Sequence, residues 1–193
     1  MRIIAGKLRG RTYKARKDTS VRPISGRIKQ SLFDIIAGLV PGCRFLDIYA
    51  GTGAVGIEAL SRGAEFVFFV DKNRRNVEDL TAILQKMGLA ARAKAQPGDA
   101  LEDMSWIPFR SGVSQFDLIF LGPPYKDQEK RPLHLSTPTL ARVAEAKILA
   151  PKGWVILQHQ VKEDVSTPEG LEQFRRQKYG DTYLDFFRTS PER

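Results

Sequence analysis

A chain of 193 residues, 42% of them hydrophobic, can bury a core of its own, so one domain over 1–193 is expected. No apolar run is long enough to cross a bilayer, the basic N-terminus lacks the apolar stretch of a secretory signal, and the single cysteine, Cys43, excludes an internal disulfide and fits a reducing, cytoplasmic setting. The formal charge of +9 belongs wholly to residues 1–31, where ten Lys or Arg face one acid, Asp18. The rest of the chain holds 21 basic and 21 acidic residues, so the imbalance points to a polyanionic partner, with nucleic acid ahead of a merely solvated tail.

In chain order, residues 3–15 alternate apolar and basic around Gly6–Gly10, which predicts two short strands in a hairpin. Ser25 is placed to cap a helix whose apolar face is Ile28, Leu32, Ile35, Ile36 and Leu39, with Arg27 and Lys29 on the other face, and Pro41-Gly42 ends it. From Arg44 onward short apolar strands alternate with helices, the pattern of a parallel sheet covered on both sides. Strands are expected at Phe45–Tyr49, Phe66–Val70, near Ala91–Ala95, at Asp117–Leu121 and at Trp154–His159. Between them, a short helix closed by Gly63, a helix from Asn73 to Gly88 and one from Pro138 to Leu149 complete the alternation. Gln177–Arg188, folded about Gly180-Asp181, predicts a closing antiparallel hairpin. The fold class is α/β and Rossmann-like, with a mostly parallel sheet. Residues 1–40 read as a basic extension and 41–193 as the core.

Gly51-Thr52-Gly53-Ala54-Val55-Gly56 follows the first strand and matches the G-x-G-x-x-G fingerprint, with Asp71 twenty residues beyond its first glycine. The glycines let backbone approach a ligand, and an acid ending the second strand can hold two ribose hydroxyls. The turn alone does not separate a dinucleotide from S-adenosyl-L-methionine. Asp47 begins to do so, because an acid inside an apolar strand needs a cation or hydrogen-bond donors nearby, which a pyrophosphate does not offer and a sulfonium with an α-amino group does. No Tyr-x-x-x-Lys proton relay accompanies the turn, which weighs against a nicotinamide enzyme. Asp99 supplies another acceptor at the carboxyl edge of the sheet, or caps a helix over Leu101–Trp106, or both.

Gly122-Pro123-Pro124-Tyr125 ends the fourth strand at that same edge. Two prolines stiffen the backbone and hold Tyr125 in one place, where an aromatic can stack on a base swung out of its helix or loop. His134, His159 and Cys43 show no recurring ligand spacing, so no metal is expected. Trp106 and Trp154 read as packing residues, and Arg175, Arg176 and Lys178 either extend a basic surface or form a solvated face.

The segments MRIIAGKLRGR, FLDIYAGTGAVGIEALSRGAE, FDLIFLGPPY and YGDTYLDFF, with Arg22-Pro23 and GRIKQSLFDI between them, resemble the RsmD-type guanine-N2 methyltransferases of bacterial small-subunit ribosomal RNA nearly end to end. That resemblance implies a seven-stranded class I methyltransferase fold, S-adenosyl-L-methionine as cofactor, and ribosomal RNA, within a 30S subunit or an assembly intermediate, as partner; the sequence does not fix the oligomeric state, and a monomer is favoured. It further implies Asp47, Gly51 and Gly53 at the methionine end of the cofactor, Asp71 at the ribose and Asp99 at the adenine. Gly122, Pro123, Pro124 and Tyr125 would form the catalytic loop, with Tyr125 in the target-base pocket. Arg9, Arg11, Arg22 and Arg27 would face RNA, with Pro23 beside them.

Two positions depart from the family pattern: Gly122 stands where it has Asp or Asn, and Ile24 where it has Thr. The guanine amino nitrogen is a poor nucleophile because its lone pair is delocalised into the ring. Losing a polar group aimed at it typically costs on the order of 10² to 10³ in rate. The Pro123 carbonyl and Asp127 are the candidate substitutes. An adenine-N6 methyltransferase on RNA or DNA, and an RNA-binding protein with weakened or lost chemistry, are the alternatives these residues leave open.

Overall fold

The structure, a computed structural model, describes residues 1–15 and 24–191. Seven strands form one sheet: β1 (Arg44–Ile48), β2 (Phe66–Asp71), β3 (Ala93–Pro97), β4 (Phe116–Leu121), β5 (Leu149–Gln160), β6 (Leu171–Tyr179) and β7 (Thr182–Thr189). Their order is β3-β2-β1-β4-β5-β7-β6. The first five run parallel, and β7 is inserted antiparallel between β5 and β6. The order reverses between β1 and β4, so the loops after those two strands open side by side, where open α/β sheets bind ligands. Both faces of the sheet are covered, which explains the largely apolar sequences of β1, β2 and β4.

The helices are α1 (Gly26–Ile35), α2 (Ala54–Ser61), α3 (Arg74–Lys86), α4 (Trp106–Ser111) and α5 (Ser136–Glu145). Ser25 caps α1 by accepting the Ile28 N–H, and Asn73 caps α3 by accepting that of Arg75. All eight residues of α2 are buried, between the sheet and the N-terminal segment. That helix lies so close to the sheet that a Cβ at Gly56 would stand 2.2 Å from the Phe69 ring. The third glycine of the fingerprint is therefore demanded by packing.

Several expectations are corrected. The N-terminal hairpin forms as a short antiparallel pairing rather than two full strands: Arg2 bridges Thr12, with the Ile3-to-Arg11, Gly10-to-Ile3 and Tyr13-to-Met1 backbone bonds around them. Its turn spends its bonding on α2 instead: Lys7 N–H donates to the Ser61 carbonyl, and a Cβ at Gly6 would lie 1.9 Å from that oxygen. Lys29 is not on a solvated face but buried, because Glu58 meets it. Leu39 lies beyond the end of α1 and is exposed.

No helix caps at Asp99. Its carboxylate takes the Leu101 N–H in a local turn, Asp103 does the same for Ser105, and α4 begins only at Trp106. Helix α5 stops at Glu145, since Lys147 adopts a left-handed conformation at φ 51°. Strand β5 starts at Leu149, earlier than expected, with a register shift against β4. Trp106 packs edge-on to Phe68, and Trp154 to Phe174 and Phe186, as packing residues should.

Candidate active site

Asp47 is next to last in β1 and 2% exposed. Its Oδ2 accepts the Gly56 N–H at 2.9 Å, so the carboxyl lies beneath the glycine turn and braces the start of α2. Burial, only partly offset by that bond and reinforced by the charge of Asp71, pushes its pKa up to about 8. An acid held neutral in this way is poised to ionise when a positive charge arrives close by.

Gly51 and Gly53 both take positive φ, 50° and 71°, as the tight turn into α2 requires. Asp71 ends β2, and its Oδ2 accepts the Gly51 N–H at 2.7 Å while Oδ1 accepts those of Asn73 and, from the side chain, Asn76. The carboxylate thus ties the second strand to the glycine turn across the sheet edge. A narrow cleft lined by Gly51, Thr52, Asn76, Asp79 and Leu80 opens beside it. Asp99, after β3, meets Lys72 at 2.6 Å. Burial raises its pKa, but the Lys72 bond and the Leu101 N–H outweigh that and hold the carboxyl below the ordinary carboxylate range.

The Pro-Pro-Tyr loop is rooted on the same edge: the Gly122 N–H donates to the Ile48 carbonyl, at the end of β1, at 3.3 Å. Tyr125 is half-buried, its carbonyl accepts the Leu133 N–H, and its Oη accepts the Gln158 Nε2 at 2.8 Å. Around it a cavity of about 330 Å³ is bounded by Ser25, Arg27 and Ile28, by Gln158, and by the β6–β7 turn. That volume lies at the small end of ligand pockets, which run from about 300 to 1,000 Å³. Asp127 is engaged by Arg131, whose side chain donates to its carboxylate at 2.7 Å and whose backbone N–H donates to it at 2.8 Å.

Arg9, Arg11 and Arg27 are exposed, and Arg27 lies at the mouth of the cavity. Arg22 and Pro23 lie outside the described residues. Arg176 is not a free cation: it grips Asp185 with two bonds of 2.7 Å, and His159 meets the same buried acid at 3.0 Å. The structure therefore brings together Asp47, Gly51, Gly53, Asp71 and the root of the Pro-Pro-Tyr loop. Asp99 stands at the next strand end.

Three residues that matter here escaped the sequence reading. Glu58, an acid in the middle of the apolar α2, gathers the N–H groups of Ile4 and Ala5, Lys29 and Arg62. Gln158, a polar residue within the apolar β5, holds Tyr125. Tyr49, at φ 65°, opens the glycine turn and bonds Thr139 at 2.7 Å. The first two carried a visible signal, a polar residue where the pattern demands an apolar one; Tyr49 carried none.

Strand order, glycine turn and strand-end acids together define the class I methyltransferase fold. Comparison with known proteins narrows this. The chain belongs to the RsmD-type methyltransferase family, described as Conserved hypothetical protein 95, which matches residues 1–188. It is 34% identical over 191 residues to the Bacillus subtilis protein named "Putative rRNA methyltransferase YlbH", covering 97% of this chain and 98% of that one. It is 27% identical over 171 residues to the Ribosomal RNA small subunit methyltransferase D of Haemophilus influenzae, covering 88% and 83%. Among solved structures, "Putative methyltransferase yhhF" from Escherichia coli superposes with a TM-score of 0.80 at 23% identity, over 100% and 99% of the two chains, a likeness of fold.

Proposed function

We propose that this protein transfers a methyl group from S-adenosyl-L-methionine to the exocyclic N2 of a guanine in small-subunit ribosomal RNA. The observation that carries the reading is the joining of two sites at one sheet edge, where the Gly122 N–H of the catalytic loop bonds the Ile48 carbonyl just before the glycine turn. Asp47 fits a sulfonium donor, because a buried neutral acid with a raised pKa gains most from a nearby cation. When bound, the donor supplies an electrophilic methyl for in-line displacement.

The chain's own part is alignment. The glycine turn and Asp71 fix the donor's end, while Pro123, Pro124 and Tyr125 hold the base from the other side. Aligned binding of this kind can supply roughly 7 to 11 kcal/mol of the barrier. Residues 1–40 form the RNA-facing extension, pinned to α2 where Ile4, Ala5 and Lys29 meet Glu58, with Arg9, Arg11 and Arg27 turned to solvent. The substrate puts the enzyme's work in the cytoplasm, on a 30S subunit or its precursor.

Incubation with isotopically labelled donor and under-methylated small subunits tests the proposal. Label is expected in the RNA, and incorporation no greater than with heat-killed protein would reject it.

A further inference from the structure

Two adjacent residues at the end of β1 hold the Pro-Pro-Tyr loop at both its ends. The Ile48 carbonyl accepts the Gly122 N–H at 3.3 Å, where the loop begins, and the Tyr49 hydroxyl meets Thr139 Oγ1 of α5 at 2.7 Å, where the loop finishes. Proton count fixes the direction of the second bond. Thr139 spends its one hydroxyl proton on the Leu135 carbonyl at 2.7 Å, so Tyr49 donates. Burial pushes the Tyr49 hydroxyl up to about 12, against the Thr139 bond and with the charges of Asp99 and Glu163 adding to it, so this donor keeps its proton at neutral pH.

The chain of bonds runs on to the aromatic of the loop. Leu135 immediately precedes α5, and two residues before it the Leu133 N–H donates to the Tyr125 carbonyl at 2.9 Å, with Lys126 and Pro132 bridged antiparallel between them. Tyr49 itself stands at φ 65°, a left-handed conformation that a bulky side chain keeps only where its contacts over-determine it. The hydroxyl tie to the fully buried Thr139 is one such contact.

We infer that Tyr49 is a positioning residue for the transfer, its hydroxyl setting the far end of the Pro-Pro-Tyr loop, and with it Tyr125, relative to the glycine turn. The inference rests on the proposed methyl-transfer reading and adds to it the residue that aligns the two halves of the site. Without the hydroxyl each half still binds its own ligand, and only their mutual alignment, on which in-line displacement depends, is loosened. The effect therefore falls on kcat rather than on KM.

Tyr49→Phe removes the donor of this relay, Thr139→Val removes its middle member, and Thr139→Ser keeps it. Turnover on under-methylated small subunits and binding of S-adenosyl-L-methionine by calorimetry are measured for each, and for Tyr49→Phe combined with Thr139→Val. The first two should each lower kcat about tenfold, the effect of one hydrogen bond, with KM for the subunit and affinity for the donor unchanged. The double variant should lose no more than either alone, because both changes break one relay, and Thr139→Ser should keep full turnover. A wild-type kcat in Tyr49→Phe, additive losses, or a loss carried wholly by donor affinity would each overturn the inference. Tyr49→Phe and Thr139→Ser decide it if Thr139→Val fails to fold.

A second readout needs no turnover. In protein labelled with 3-fluorotyrosine, the Tyr125 resonance, assigned by its absence in Tyr125→Phe, should shift or broaden in Tyr49→Phe and stay in place in Thr139→Ser. An unmoved resonance in Tyr49→Phe would overturn the role of Tyr49 whether or not methyl is transferred. A moved resonance in a protein that transfers no methyl would sink the proposed activity and leave Tyr49 as the residue that sets the loop.

Discussion

Lys29 Nζ lies 3.1 Å from Glu58 Oε2, with the two side chains 5% and 0% exposed. The pair joins α1 to α2, and Glu58 also accepts the backbone N–H groups of Ile4 and Ala5 at 2.9 Å each and bonds Arg62 at 2.9 Å. One carboxylate thus fastens the basic N-terminal segment to the helix that begins at the glycine turn. Glu58→Gln keeps the shape but strands a buried ammonium. Unfolding in urea should show a loss of about 3 kcal/mol, the usual cost of breaking a buried pair from one side. Burial works to raise the pKa of Glu58, but the Ile4 N–H, Arg62 and Lys29 outweigh it and hold the carboxyl below its ordinary 4.5. Its contribution is therefore present above about pH 4.5 and lost as the pH falls through the depressed value, a loss the Gln variant should not show.

Asp47 predicts the opposite slope. Its folded pKa of about 8 stands above the ordinary 3.8, so the donor-free folded state binds a proton that the unfolded chain has already released. The stability this gives is complete below pH 3.8 and is lost progressively as the pH rises toward about 8. Asp47→Asn keeps an acceptor for the Gly56 N–H and removes the charge. At pH 8.5 it should be more stable than the wild type by an amount on the order of a few kcal/mol, with the difference vanishing near pH 4. Urea midpoints at the two pH values measure it, and a variant less stable at both would contradict the buried-acid account.

Gly122 makes a third prediction. A Cβ placed there would stand 3.0 Å from Phe120 Cε1, so a side chain fits only if that ring gives by a few tenths of an ångström. Asp127, five positions on, is taken by Arg131. Gly122→Asp should raise kcat by about tenfold or more, short of the 10² to 10³ an ideally placed group provides, and lower stability by about 1 kcal/mol through crowding. An unchanged kcat would mean that a backbone carbonyl already receives the amino proton.

The exposed arginines predict a salt effect. Arg9→Ala, Arg11→Ala and Arg27→Ala should each reduce the slope of log affinity against log salt, for a ribosomal RNA fragment, by about 0.7 to 0.9 per phosphate contact removed. Arg176→Ala should leave that slope alone and destabilise the β6–β7 hairpin, because its partner Asp185 is fully buried.

Much of this was legible in the sequence because its signals are local. The glycine turn, the Asn73 and Ser25 caps and the apolar runs of β1, β2 and β4 are each set by residues within a few positions of one another, and they form where expected. What was not legible depends on distant partners. Lys29 looks like a surface residue until Glu58, 29 positions on, comes up beneath it, and the N-terminal hairpin shows what it docks on only when Ser61 and Glu58 take N–H groups from its turn. At the site the same division holds: Asp47, Asp71 and the Pro-Pro-Tyr loop stand out by type and spacing, whereas Gln158 acquires meaning only from the tyrosine 33 positions away.

The central claim is that strand-end acids around the glycine turn hold a cationic methyl donor. Isothermal titration of the protein with S-adenosyl-L-methionine, and in parallel with NAD, tests it most directly. The account predicts saturable one-site binding of the first, tightening as the pH rises toward 8 and abolished by Asp71→Ala, with no heat from the second. No binding of S-adenosyl-L-methionine at any attainable concentration, or tighter binding of NAD, would contradict it.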